Sequence, residues 1–216
     1  MIGELPGQYR AVIFDMDGLL LETESLWLRA ESELFRRHGE EFSREDQLAV
    51  MGTGVEFSGR YYASRLGQPE SRGATLVEEM HGYMLAELQR DVHARPGAVE
   101  LVDRLRGQVP LGLASNSERL LVDAALSTAR LTDAFDTIVT AADVAQPKPA
   151  PDIYLEACAR LGVAPADALA LEDSAPGIAA AKAAGMTCIA VPQFAETDVS
   201  VADRVIDSLE ELLAER

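Results

Sequence analysis

The chain has 216 residues, of which 48% are apolar and 25% are charged, and its formal net charge at pH 7 is −17. This length fits one domain, or one domain with an insertion, and is sufficient for a full hydrophobic core. The acidic charge disfavours nucleic acids and anionic lipids as partners, because like charges repel. No apolar run approaches the roughly 20 residues that span a membrane, and the first residues do not resemble a signal peptide. Cys158 and Cys188 lie in apolar segments, so we expect reduced core cysteines in a cytoplasmic protein.

The predicted elements begin with a loose leader over residues 1–9 and a buried strand over 10–14. The apolar spacing is then helical as far as residue 91, with helices over 24–38, after Ser43, over 55–66 and over 75–89. Four consecutive helices directly after the first strand suggest an inserted helical cap over 22–93. The remainder, 1–21 and 94–216, forms the predicted catalytic core.

Helices and strands alternate after the helical segment. The predicted strands cover 109–114, 137–140, 168–171, 187–191 and 205–206, and the predicted helices cover 98–106, 117–129, 149–161, 175–184 and 209–214. Ser117 is expected to be the N-cap of its helix. Such alternation predicts a parallel sheet with right-handed crossovers. The fold class is therefore α/β, with a Rossmann-like core and an inserted α-helical cap.

Two aspartates follow the first strand, in the stretch Phe14-Asp15-Met16-Asp17-Gly18. Ligands of open α/β sheets bind at the carboxyl ends of strands, which is where Asp15 and Asp17 lie. At a separation of ~4 Å and an effective dielectric of ~20, two such carboxylates repel by ~4 kcal/mol. A proton or a hard divalent cation can relieve that repulsion. The alternative for this stretch is a simple Asp-Gly turn.

Three other stretches add polar groups near predicted strand ends. Ser115 and Asn116 precede a helix and could form an anion site, or Ser115 could be a simple helix cap. Lys148 is one of only two lysines in the chain and is held between prolines. Glu172 and Asp173 end another strand, where buried charges need partners. Together these groups suit phosphate chemistry.

The order Asp-x-Asp-Gly, Ser, Lys-Pro and Glu-Asp resembles the haloacid dehalogenase superfamily of phosphohydrolases, in its subgroup with a helical cap. The closest likeness is to sugar-phosphate phosphatases and β-phosphoglucomutase-like members. The resemblance implies that Asp15 is the nucleophile and that Asp17 is the general acid and base. It also implies that Ser115 and the N–H of Asn116 hold the phosphoryl oxygens.

The resemblance further implies that Lys148 pairs with the phosphate and with Asp15. The cofactor is expected to be Mg²⁺, bound by Asp15, the carbonyl of Asp17 and Asp173, with Glu172 as a ligand or as a neighbour that supports one. The implied activity is hydrolysis of small phosphomonoesters, with sugar phosphates favoured. Separately from the resemblance, a monomer is expected.

Several departures from the family pattern leave alternatives open. Pro147 stands where a glycine usually precedes the lysine. A mutase would need a second phosphate grip in the cap, where this chain has Val55, with Arg60 as the alternative residue for that grip. Residues 22–93 contain no lysine, which opposes the phosphonate-cleaving chemistry of some relatives. The alternatives are a phosphosugar mutase and a catalytically silent binding protein.

The cap is expected to set selectivity. The candidates for facing the leaving group are Glu22, Thr23, Trp27 and the loop Gly52-Thr53-Gly54. Thr23 is predicted to bind substrate, with a helix cap as its alternative, whereas Trp27 is favoured as a packing residue. The run from residue 31 to 37 is interpreted as a solvated helix face.

Overall fold

A computed structural model describes residues 8–51 and 53–214. The leader predicted over 1–9 therefore lies outside the described residues except for its last two, of which Tyr9 is buried. Gly52, part of the predicted cap loop, also lies outside them.

Strands of the described chain form a single six-stranded sheet. They are β1 (Ala11–Phe14), β2 (Leu111–Ser115), β3 (Thr137–Thr140), β4 (Ala168–Glu172), β5 (Thr187–Ala190) and β6 (Arg204–Val205). All neighbours are parallel, in the order β3-β2-β1-β4-β5-β6. This is the strand order of a doubly wound Rossmann-type sheet, so the predicted fold class is confirmed. The second strand begins two residues later than predicted, after Pro110, which has no N–H to donate.

Four helices separate β1 from the rest of the sheet. They are α1 (Glu24–Arg37), α2 (Arg44–Val50), α3 (Val55–Arg65) and α4 (Gly73–Arg90), and we call them the cap helices. Ser43 caps α2 as the sequence predicts, because its side chain accepts from the N–H of Asp46, whose own carboxylate accepts from the N–H of Ser43.

The helices that alternate with the later strands cover both faces of the sheet. They are α5 (Ala98–Leu105), α6 (Arg119–Thr128), α7 (Asp152–Leu161), α8 (Ala175–Ala183) and α9 (Glu210–Ala214). The prediction that Ser117 caps α6 is wrong: the N-cap is Glu118, and no side chain caps this helix. The Ser117 hydroxyl is instead directed to another group, described below.

One continuous hydrophobic cluster joins the cap helices to the sheet. It includes Phe14 and Leu113 of the sheet, Leu34 and Met84 of the cap helices, and Leu101 of α5. A second cluster, on the opposite face, packs β-strand residues against α7 and α8. The division into a core of 1–21 and 94–216 and a cap of 22–93 remains a prediction. In the described ranges, no helix combines the length and the hydropathy needed to cross a membrane.

Candidate active site

The carboxyl ends of three neighbouring strands bring the predicted acids and Ser115 together. β1 lies between β2 and β4, with Phe14 in register with Leu113 and Leu171. Asp15 follows Phe14 directly, and its N–H donates to the carbonyl of Leu171 at 3.0 Å. Because β2 ends in Ser115 and β4 in Glu172, these side chains meet at one edge of the sheet.

Lys148 enters this edge from the loop after β3. Its Nζ donates to Oδ1 of Asp15 at 2.6 Å, to Oε1 of Glu172 at 2.6 Å and to the carbonyl of Ala114 at 2.9 Å. All three donors of the ammonium are therefore used. The side chain of Asn116 fixes the backbone beneath it, since Oδ1 accepts from the N–H of Lys148 and Nδ2 donates to its carbonyl. Sequence reasoning gave Asn116 only a backbone role.

Burial and the charge of the partner act in opposite directions on the pKa values of Asp15 and Lys148. Burial raises the pKa of Asp15 well above its usual range; Lys148 opposes the rise, whereas Glu172 and Asp17 add to it. Burial lowers the pKa of Lys148, but the charges of Asp15 and Glu172 outweigh burial and hold that pKa above its ordinary value. Lys148 therefore stays protonated, but its single positive charge does not balance the several buried carboxyls around it.

Glu172 is completely buried, and both of its oxygens are occupied. Oε1 accepts from Lys148 and from the hydroxyl of Tyr154 at 2.9 Å. Oε2 accepts from the N–H groups of Asp173 and Ser174 and from the Ser174 hydroxyl, each at 3.0 Å. Gly177 permits this arrangement, because a Cβ there would overlap the Glu172 carboxyl. These contacts suit a residue that positions its neighbours better than one that binds a metal directly.

Asp173 completes a group of three carboxyls that can hold a divalent cation. Asp15, Glu172 and Asp173 each offer an oxygen, and these atoms lie within 4.8 Å of one another. Oδ1 of Asp173 is buried without a hydrogen-bond partner in the described part of the chain. Burial, followed by the charges of Asp15 and Glu172, raises the pKa of Asp173 well above its usual value. An unpartnered buried oxygen among excess carboxylates fits a hard cation with oxygen ligands.

Asp17 lies outside that group and is held by three donors. Its Oδ2 accepts from the hydroxyls of Ser115 at 3.2 Å and Ser117 at 2.8 Å, and its Oδ1 accepts from the indole Nε1 of Trp27 at 3.1 Å. The side chain of Asp17 is thus engaged by two hydroxyls and an indole and does not belong to the group of three carboxyls. Trp27 belongs to α1, so a cap helix contacts the proposed acid directly.

Comparisons with known proteins now identify the family. Residues 12–191 match the model of the haloacid dehalogenase-like hydrolases. The chain belongs to this family. The resemblance stated from sequence is therefore confirmed, as is the expected enzyme class, a phosphatase of the haloacid dehalogenase type.

Similar proteins come from several bacteria. Hexitol phosphatase B of Escherichia coli K12 is 36% identical over 215 residues, which cover 97% of this chain and 96% of that protein. A putative phosphatase of Bacillus subtilis, YhcW, is 36% identical over 185 residues, covering 85% of this chain and 83% of its own. CbbY from Rhodobacter sphaeroides, solved in complex with phosphate, superposes with a TM-score of 0.85 at 32% identity and covers 94% of this chain and 96% of its own.

The site of this hydrolase opens into a cavity of about 430 Å³ between the sheet edge and the cap helices. The sheet side contributes six of the candidate residues, Asp15, Asp17, Ser115, Asn116, Lys148 and Asp173, whereas Glu172 is not among the described lining residues. Residues of the cap helices form the opposite wall, among them Glu24, Trp27, Glu31, Gln47, Val55, Tyr62, Met80 and His81.

Two other candidates lie away from the cavity wall. The side chain of Thr23, predicted to bind substrate, is fully buried and is not among the described lining residues. It is the N-cap residue of α1 but makes no side-chain capping bond. Glu22 is held by Arg95 and Gln193 instead of facing a leaving group. Thr53, from the predicted loop, does line the cavity.

Arg60, the possible second phosphate grip, is also placed elsewhere. Its Nη1 pairs with Oε1 of Glu56 at 2.6 Å, and both side chains are exposed. Arg60 is not among the described residues that line the cavity, whereas Val55 is.

Sequence reasoning did not place Ser117, Glu24 or Glu31 in the site, and it favoured packing for Trp27, although Trp27 was also a candidate for facing the leaving group. Ser117 was assigned to a helix cap and Glu31 to a solvated face, yet Glu31 is only 5% exposed and lines the cavity. One pattern could have revealed the residues of α1. Glu24, Trp27 and Glu31 follow an i, i+3, i+7 spacing, which places polar groups and an indole on one helix face.

Proposed function

We propose that the chain is a Mg²⁺-dependent phosphatase of small phosphomonoesters, sugar phosphates in particular, and that it forms an aspartyl-phosphate on Asp15. The observation that carries this proposal is the 2.6 Å contact between Asp15 and the buried Lys148 ammonium at the floor of the cavity. The names of two relatives, a hexitol phosphatase and a protein crystallised with phosphate, support it.

In the first half-reaction Asp15 is the nucleophile. Lys148 holds its Oδ1, which leaves Oδ2 to attack phosphorus. A bond forms between Asp15 and phosphorus while the ester P–O bond breaks, and Asp17 gives a proton to the leaving alcohol oxygen. The Ser115 hydroxyl and the N–H of Asn116 bind the phosphoryl oxygens, and the Lys148 ammonium, held by its three acceptors, supplies positive charge beside them.

In the second half-reaction Asp17 takes a proton from water as the water oxygen bonds to phosphorus. The bond to Asp15 breaks, which restores the carboxylate and releases inorganic phosphate. The hydroxyls of Ser115 and Ser117 and the indole N–H of Trp27 orient the Asp17 carboxyl for this transfer.

Asp15 and Asp173 are the residues that would hold Mg²⁺, with the carbonyl of Asp17 as the third predicted ligand and Glu172 positioning the other two. The bound ion supplies positive charge near the phosphoryl oxygens and the buried carboxyls. The unpartnered Oδ1 of Asp173 supports this assignment.

The mutase alternative requires a second anion grip, and Arg60 is engaged with Glu56 at the surface. We therefore place hydrolysis first. A silent binding protein is the remaining alternative. The substrate is the only partner proposed, and a monomeric state, a cytoplasmic location and the lack of nucleic-acid or membrane binding remain predictions.

Phosphate release from glucose 6-phosphate, glucitol 6-phosphate and β-glucose 1-phosphate, with Mg²⁺ or with EDTA, tests the proposal. We expect Mg²⁺-dependent release that Asp15→Asn abolishes and that Asp103→Asn, an exposed control, leaves unchanged. Substantial activity in Asp15→Asn contradicts the nucleophile assignment. Formation of glucose 6-phosphate from β-glucose 1-phosphate without free phosphate favours the mutase, and no turnover of any compound favours the silent protein.

A further inference from the structure

The cap wall of the cavity carries two carboxyls that the proposed chemistry does not use. Glu24 and Glu31 lie on α1, seven residues apart and therefore on the same helix face. Both line the cavity, with Trp27 between them. Trp27 contacts Asp17, so the two carboxyls extend from the reacting centre toward the region where a leaving group lies.

Neither carboxyl forms an ion pair with another described residue. No hydrogen bond joins the Glu24 carboxyl to another described residue either. Oε1 of Glu31 accepts from the hydroxyl of Tyr62 at 2.8 Å. Burial raises the pKa of Glu24 to about 7, with Asp17 adding to the rise and the charge of Arg44 opposing it, and burial raises the pKa of Glu31 to about 8. Near neutral pH both groups can therefore donate to or accept from a hydroxyl.

Positive charge is scarce around the leaving-group region. Among the described lining residues Lys148 is the only lysine or arginine, and its ammonium is fully engaged with Asp15, Glu172 and a carbonyl. Burial lowers the pKa of His81, against the influence of Glu118, so this lining residue is largely neutral at pH 7.

The charge of Arg44 acts on Glu24, but its guanidinium makes its direct contacts with other residues. Its Nη1 donates to Oε1 of Gln47 at 2.7 Å, and its guanidinium lies 5.3 Å from the centre of the Phe194 ring. The rim next to Phe194 adds two further acids, Glu196 and Asp198. The wall that meets the leaving group is therefore acidic.

We propose that Glu24 and Glu31 determine specificity by binding the hydroxyls of an uncharged leaving group and by excluding monoesters that carry a second anionic group. This inference rests on the proposed phosphatase activity. A hydroxyl satisfies a buried carboxyl in either protonation state, whereas a second phosphate or carboxylate meets a wall whose described lining has no lysine or arginine except the engaged Lys148. Specificity of this kind comes from the penalty imposed on the wrong ligand as much as from contacts with the right one.

Three open-chain six-carbon monoesters isolate the charge of the leaving group: glucitol 6-phosphate (neutral), 6-phosphogluconate (anionic) and 2-amino-2-deoxyglucitol 6-phosphate (cationic). For the wild-type enzyme we expect kcat/KM to be at least about tenfold higher for glucitol 6-phosphate than for 6-phosphogluconate. The cationic compound is expected to react at least as well as glucitol 6-phosphate.

At pH 9, above the pKa of both carboxyls, Glu24→Gln and Glu31→Gln remove charge while preserving size. Each substitution should lower the ratio of kcat/KM for the neutral compound to kcat/KM for the anionic compound by about threefold or more. Glu78→Gln, an exposed control on α4, should leave this ratio unchanged. A wild-type ratio near one, or a ratio that neither folded variant alters, overturns the proposal.

Calorimetric binding of the three compounds to Asp15→Asn separates this inference from the phosphatase proposal. Tighter binding of the neutral and cationic compounds than of the anionic one, without turnover by the wild-type enzyme, contradicts the phosphatase proposal but supports the role of Glu24 and Glu31. Equal binding of the neutral and anionic compounds overturns the cap assignment even when turnover is robust.

Discussion

Replacement of Lys148 by methionine tests whether this side chain stabilises the fold as well as the reaction. The side chain is 3% exposed, and its Nζ lies 2.6 Å from an oxygen of Asp15 and 2.6 Å from an oxygen of Glu172. Lys148→Met would leave these carboxyls, together with Asp173, buried without their cation. The chain supplies its own control, because its other lysine, Lys182, pairs with Asp203 at the surface.

The structure sets the expected size of the effect. At 2.6 Å and an effective dielectric of ~20, each contact is worth ~6 kcal/mol before the cost of desolvation. Removing one partner of a buried ion pair costs about 3–5 kcal/mol net, which corresponds to a fall in Tm of roughly 6–20 °C for a chain of this size. The Lys182 pair is 29% and 38% exposed, so Lys182→Met should cost no more than about 1 kcal/mol.

Urea unfolding of both variants in EDTA, at pH 5 and pH 8, provides the measurement. Without the ammonium, the pKa of Asp15 in the folded state rises further above its unfolded value. Such a group stabilises the fold below its unfolded pKa and loses that contribution as the pH rises through the folded pKa. The loss of unfolding free energy in Lys148→Met should therefore be larger at pH 8 than at pH 5. A loss at pH 8 no greater than that of Lys182→Met would refute the reasoning.

Three further predictions use other contacts. Burial raises the pKa of Glu31 from 4.5 to about 8, so the free energy of unfolding should fall by on the order of 3 kcal/mol between pH 6 and 9. Glu31→Gln should remove most of this pH dependence in urea unfolding, and an unchanged pH dependence would exclude Glu31 as its cause. Gly177→Ala should reduce phosphate release more than tenfold, because a Cβ there overlaps the Glu172 carboxyl. A Cβ at Gly82, within α4, would have no atom within 4 Å, so Gly82→Ala should instead raise the free energy of unfolding by about 1 kcal/mol. The same loss of phosphate release in both variants would contradict this reasoning. Trp27→Phe removes an indole donor from the proposed acid–base residue, and kcat for phosphate release should fall about tenfold, whereas wild-type kcat in this variant would assign the indole to packing.

The sheet and most of the charged cluster could be predicted from the sequence because each rests on local patterns. A buried parallel strand is a short apolar run, and its end is marked where carboxylates begin, as at Asp15 and Glu172. The scarcity of lysine drew attention to Lys148. The structure shows these groups in contact, at distances that no linear pattern specifies.

The cap wall was less predictable, because its residues resemble ordinary helix residues. Glu31 precedes a charged segment, and only packing against Tyr62 shows that it is buried. The Ser117 hydroxyl could cap a helix or reach Asp17, and the choice depends on how close β1 and β2 lie. Thr23 shows the opposite error, since its position after the motif suggested contact with substrate but its side chain is enclosed.

The Lys148 ammonium contacts groups at the ends of three adjacent strands: Asp15 after β1, the Ala114 carbonyl in β2 and Glu172 in β4. Selection for a stable sheet and selection for turnover therefore act on the same atoms. A descendant of this chain that ceased to hydrolyse phosphate would still lose stability if it replaced this lysine. Retention of Lys148 and Glu172 in a relative is accordingly evidence of an intact fold, and activity in that relative has to be established by assay.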